Sequence, residues 1–313
     1  MIDFRYHLVS IVSIFLALAV GIVLGAGPLK EDIGNTLTSE VTRLREDRTQ
    51  LRAQLDEAEK AAQARDAFTE ASNKSLLANR LQDATVSVVV LPGADDNLVK
   101  STTSTLTEAG AKIGSTVTVL DSWVDPDKAT FRSTLGEQLA PSVQVPIDQT
   151  DGEVVDAVLA RALLTKAGGN GTGAAAALEG LRTGELIRYT PDSVTVATAA
   201  VIIGGPVNGE TGPERTARAE ALSGLAGALD VAGSGAVLAA TSPDTGDNPQ
   251  LSVVASARQN SDQAKQLSTV DHAELPMGQA SVVFALLEQF AGSAGQYGLE
   301  ADATAAFPAL ATK

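Results

Sequence analysis

The sequence predicts an α/β protein in three parts: an N-terminal transmembrane helix, a long coiled-coil helix, and a Rossmann-like domain with a mostly parallel sheet. Three observations carry this reading. Leu8 to Leu29 run without a charged side chain. Residues 31–82 contain no proline and keep an apolar heptad. Beyond Asp83, short runs of Val, Ile and Ala alternate with helical stretches. The parts fall at 1–30, 31–82 and 83–313.

The first part reads as an anchor. About 20 mostly apolar residues, rising ~1.5 Å each in a helix, match a hydrocarbon core of ~30 Å. A cleaved secretory signal fits less well: the apolar core is long, the basic start is weak, and Pro28 sits badly after a cleavage site. Lipidation on cysteine is impossible, because the chain has no Cys. Within the anchor Ser13, Ala17, Gly21 and Gly25 recur every four residues and share one helix face. Gly21 and Gly25 form a GxxxG pair, which lets two helices pack closely in lipid. Charge does not set the orientation. Arg5 precedes the anchor, while Lys30, Arg43, Arg45 and Arg48 follow it.

The second part reads as a stalk. Leu37, Leu44, Leu51 and Ala58 take heptad position d, and Val41, Arg48, Leu55 and Ala62 take position a. Such a seam implies a partner helix. Glu40 and Asp47 fall at g, with Arg45 and Arg52 at the following e positions. In a parallel dimer each g acid faces the other chain's e arginine. The expectation is a homodimer through a parallel coiled coil, seamed by Leu37, Val41, Leu44, Leu51, Leu55 and Ala58. Arg48 at a and Arg65 at a later d interrupt the seam. A single amphipathic helix packed on its own domain is the competing arrangement.

The third part reads as a sheet covered on both faces. Strands are expected at Val86–Leu91, Ile113–Leu120, Val196–Ile203, Ala236–Ala240 and Leu251–Ser256. Helices are expected at Asp95–Glu108, Gly152–Lys166, Ala174–Arg182, Glu214–Leu229 and Gly278–Phe290. Near-continuous apolar strands separated by helices imply parallel pairing. After residue 80 there are 13 basic and 27 acidic side chains, which supply −14 of the total charge of −15. A domain this acidic is not expected to bind nucleic acid or anionic lipid. With 4% aromatic residues and one Trp, the chain also lacks the girdles of a transmembrane barrel.

Chemistry is sparse in this sequence. There is no Cys, and the His and Met residues are His7, His272, Met1 and Met277. His272 and Met277 lie close enough in sequence to touch one Cu(I), but two ligands make a poor site. The glycine-rich run 168–173 follows a helix and lacks the Gly-Lys-Ser/Thr ending of a phosphate loop, so it reads as a linker. Gly204-Gly205-Pro206 ends a strand where α/β folds bind ligands, yet it also suits a sharp strand exit. Asp95 and Asp96 suit the cap of the next helix. No GxSxG elbow occurs. The expectation is a protein with no catalytic residues and no cofactor.

The opening Met1-Ile2-Asp3-Phe4-Arg5-Tyr6-His7-Leu8-Val9-Ser10, with Gly27-Pro28-Leu29 closing the anchor, resembles that of the actinobacterial MctB family. That family is named for copper transport, and its members are also described as SteB, a cell-separation protein. The layout of anchor, coiled coil and α/β domain is similar too. The resemblance implies a cell-membrane protein with its amino terminus inside and its domain outside. It further implies either copper efflux or control of peptidoglycan cleavage with a SteA membrane partner. A scaffold needs an anchor, a spacer and a binding domain, and all three are here. A copper conduit needs soft ligands or a pore. The scaffold is therefore the leading expectation, with copper homeostasis the alternative.

Overall fold

The computed structural model describes residues 4–25, 29–147, 153–166, 169, 173–191, 194–209, 211–241 and 251–309. Contacts divide the chain into two units, Met1–Arg65 and Asp66–Lys313. The first unit holds helix α1 (Phe4–Gly25) and most of helix α2 (Leu29–Leu76). Every residue of α1 is exposed. Ser13 donates its hydroxyl to the Val9 carbonyl at 2.9 Å, a back-bond that hides a polar group within the helix.

The second unit is a three-layer domain. Its strands are β1 (Thr85–Val90), β2 (Lys112–Val119), β3 (Ile187–Thr190), β4 (Ala199–Gly204), β5 (Pro206–Val207), β6 (Ala236–Ala240), β7 (Leu251–Ser252), β8 (Ser268–Val270) and β9 (Gln296–Tyr297). Seven of them form one sheet in the order β3-β2-β1-β4-β6-β8-β9. All neighbours pair parallel except β2 with β3. β5 and β7 make a small antiparallel pair outside it.

Burial on both faces explains the apolar strands. Val89, Val117, Ile202 and Leu238 point into one core, shared with α5 (Val154–Leu163), α6 (Ala174–Thr183) and α7 (Gly212–Ala232). Val88, Val201, Val237 and Val270 point into the other. That second core is covered by α3 (Asp96–Glu108) and α10 (Pro276–Phe290). Leu77 and Leu81, just beyond α2, are buried in the same core. The chain there is fixed further by Asn73, whose side-chain amide donates to the Pro276 carbonyl at 2.7 Å.

One expected strand is corrected. Only Leu251 and Ser252 of Leu251–Ser256 are extended, and the chain then winds into α8 (Val253–Gln259). A short helix α9 (Gln263–Gln266) follows before β8. Val253, Val254 and Ala257 are all buried, a spacing that suits a helix face as well as a short strand. Helix α4 (Ala129–Leu139) and strands β3, β8 and β9 lie beyond the expected elements.

Candidate functional site

The sheet reverses its order between β1 and β4, and crevices outside such reversals are where doubly wound sheets take ligands. Here the crevice is filled by backbone. A Cβ placed on Gly205 would stand 1.8 Å from the Gly93 carbonyl oxygen. One placed on Gly93, which adopts φ +81°, would stand 2.5 Å from the Pro206 carbonyl oxygen. Gly205 and Gly93 thus serve close loop packing. Asp95 beside them caps α3, its Oδ1 accepting from the N–H of Asn97 and Leu98 at 2.9 Å each.

A denser polar site lies at the carboxyl end of β8, beside edge strand β9. Asp271 follows β8 directly and is 1% exposed. Its Oδ1 meets His272 Nδ1 at 2.6 Å and accepts the Leu299 N–H at 2.7 Å and the Glu300 N–H at 3.3 Å. Its Oδ2 lies 2.8 Å from Arg258 Nη1, without the geometry of a hydrogen bond. Arg258, from α8, also donates to Thr269 Oγ1 at 2.8 Å, Asp302 Oδ1 at 2.6 Å and the Tyr297 carbonyl at 2.7 Å. Gly298 makes room for this: a Cβ there would stand 2.1 Å from the Asp271 carboxyl carbon, and its φ is +138°.

Burial pushes the Asp271 carboxyl up, but the Leu299 N–H, His272 and Arg258 outweigh it and hold it below the usual carboxylate range. Glu300 goes the other way. Burial, then the charges of Asp271 and Asp302, raise its carboxyl. Its Oε1 is buried with no hydrogen-bond partner. One ligand atom each from Asp271, His272 and Glu300 lie within 4.8 Å of one another.

His272 and Met277, the two weak candidate ligands of the sequence, fall in different settings. The fold gathers His272 with Asp271 and Glu300, while Met277 is the second residue of α10 and its carbonyl accepts the Ser281 hydroxyl. His272 sits at φ +49° in the turn that leads into α10. Sequence reasoning missed Asp271 and Glu300. The adjacency of Asp271 to His272 was visible, but Glu300 arrives through β9.

A separate groove of about 1370 Å³ runs between α5, α7 and the α8–α9 segment. Gly224, Gly227 and Ala228 help to form its lining, with Arg161, Lys166, Asp230 and Gln263. Burial pushes the Asp230 carboxyl up to about 6, against the Ala236 N–H and Lys166, which both lower it. Its lining contains no aromatic side chain, and its charges are mixed.

The remaining expected residues are in the first unit. Ser13, Ala17, Gly21 and Gly25 are exposed on α1, and a Cβ on Gly21 or Gly25 would meet nothing within 4 Å. Leu37, Val41, Leu44, Leu51, Leu55 and Ala58 are exposed on α2. The glycine-rich run 168–173 lies outside the described residues except at Gly169 and Gly173, and Gly173 caps α6.

The molecule is thus an α/β protein with a doubly wound sheet and, among the described residues, one helix long and apolar enough to cross a membrane. The chain belongs to the MctB family, described as "Copper transport outer membrane protein, MctB", which matches residues 1–308. It is 29% identical over 309 residues to the copper transporter MctB of Mycobacterium tuberculosis (strain ATCC 25618 / H37Rv), covering 95% of this chain and 96% of that one. It is 28% identical over 322 residues to the copper transporter MctB of Mycobacterium leprae (strain TN), covering 97% and 98%.

Proposed function

We propose that this chain is a non-catalytic, membrane-anchored scaffold of the cell envelope. Helix α1 crosses the cytoplasmic membrane once, with the amino terminus inside and the α/β domain outside. Two copies pair through a parallel coiled coil of α2. The paired domains act in cell separation, governing peptidoglycan cleavage through a SteA-like membrane partner and a hydrolase system. The supporting observation is the stripe of Leu37, Val41, Leu44, Leu51 and Leu55, five large apolar side chains exposed on one chain. Exposed apolar surface at heptad spacing calls for a second helix.

The test uses the absence of cysteine. Leu51→Cys places a thiol in the seam, and Asp56→Cys places one at position b on the outer face. Under mild oxidation of the full chain in detergent, Leu51→Cys is expected to form a disulfide-linked dimer and Asp56→Cys to stay monomeric. Equal linkage of both would remove the parallel pairing from the reading. Deletion of the gene is expected to leave daughter cells joined.

A second reading, copper handling, is favoured by the names of the relatives and by the gathering of His272 with two carboxylates. It expects copper sensitivity on deletion, with separation intact.

A further inference from the structure

The Glu300 carboxyl at the β8–β9 rim is not explained by internal packing. Arg258 already ties β8, β9 and the C-terminal loop together through Thr269, the Tyr297 carbonyl and Asp302. Glu300 adds nothing to that tie, yet its Oε1 is buried with no partner. Buried oxygens left in this state are costly unless something else satisfies them. Charge points the same way. Three carboxylates, Asp271, Glu300 and Asp302, outnumber the Arg258 guanidinium and the His272 imidazole that meet them in this corner.

We propose that Asp271, His272 and Glu300 hold one divalent transition-metal cation. Their donor atoms lie within 4.8 Å of one another, close enough to share one ion after small side-chain shifts. One imidazole nitrogen with two carboxylates suits Zn²⁺ or Cu²⁺, whereas Cu⁺ prefers thiolate and thioether sulfur. A dipositive ion suits a corner rich in carboxylates and gives the Glu300 Oε1 a partner. His272 Nδ1, now 2.6 Å from Asp271 Oδ1, would exchange that hydrogen bond for the metal. Hard Mg²⁺ keeps most of its water and demands octahedral oxygen ligands, so this corner discriminates against it. The site requires neither the anchor nor the stalk and does not rest on the scaffold reading.

The experiment is thermal unfolding of the full chain in detergent, stripped with chelator, then exposed to ZnCl₂, CuCl₂ or MgCl₂. At about a hundredfold excess over the dissociation constant, Zn²⁺ and Cu²⁺ are expected to raise the melting temperature by roughly 5 °C or more. Mg²⁺ is expected to leave it unchanged. Glu300→Gln removes one ligand and relieves repulsion with Asp271 and Asp302. It should melt no lower than the parent without metal, and should lose the metal response. His272→Asn, which tolerates the left-handed backbone at φ +49°, should lose it too. No shift of the parent with either transition metal would overturn the site, as would a full shift retained in both variants. If metal binding is confirmed and cells carrying His272→Asn remain copper-resistant, the copper reading fails and the site stands.

Discussion

Among the described residues the domain buries two aspartates and treats them in opposite ways. Asp271, at the rim, keeps its charge because Arg258 and backbone N–H groups surround it. Asp156, in α5 against the other face of the sheet, is 7% exposed. It accepts one hydrogen bond, from Trp123 Nε1 at 3.0 Å. Burial, helped by the charge of Glu153, pushes its carboxyl from 3.8 up to about 8; Trp123 and Arg132 only partly oppose this. Arg132 itself leans away, giving the Asp125 carbonyl a 2.6 Å bond and Glu153 a 3.4 Å contact. A buried carboxyl with a dedicated cation stays ionised, and one without it keeps its proton.

The sharpest way to break that contrast is to remove the cation. Arg258→Met leaves Asp271 buried and uncompensated, and chemical denaturation is expected to show a loss of about 3–5 kcal/mol. A loss under about 1 kcal/mol would mean that the backbone donors alone can hold the charge.

The next test reads the sign of the two linkages. Asp156 has a raised folded pKa, so its proton stabilises the native state below about pH 4, and that stability drains away up to about pH 8. Asp271 has a lowered folded pKa, so its contribution is present above the usual range near pH 4 and lost in acid. Asp156→Asn keeps the acceptor for Trp123 and cannot ionise. Its melting temperature should vary less than the parent's between about pH 5 and about pH 8, while its acid limb stays unchanged. Parallel profiles for the two proteins would show that Asp156 does not titrate as described.

The smallest effect sharpens the same picture. Trp123→Phe removes the indole N–H and keeps most of the buried ring. It should cost about 1 kcal/mol at neutral pH, measured by denaturant midpoint. An unchanged midpoint would mean that the hydrogen bond contributes nothing net.

Much of this fold was legible in the chain because long apolar patterns carry it. Phe4–Gly25, Val86–Val90, Ala236–Ala240 and the cap at Asp95 follow from run length, turn residues and capping chemistry. Other elements were not, for identifiable reasons. β9 is two residues long, too short to show any period. β3 pairs antiparallel at the edge and alternates buried and less buried residues over only four positions. The rim site suffered most. Its ligand set spans Asp271 to Glu300, and their meeting depends on α10 returning the chain to β9 beside β8. Nearness along the sequence suggested Met277, whereas nearness across strands supplied Glu300.

The contact between the loops of Gly93 and Gly205 has a practical consequence for anyone screening this protein. Side-chain rotation is the easiest motion a folded chain has, and it cannot reopen a gap occupied by main-chain atoms. Whole loops would have to separate first, breaking the Leu91 to Ile203 hydrogen bond between strand ends on the way. Nucleotide-mimetic libraries, designed for sheets of this topology, are therefore poor starting points. Chelating fragments aimed at the outer edge of the sheet are better ones.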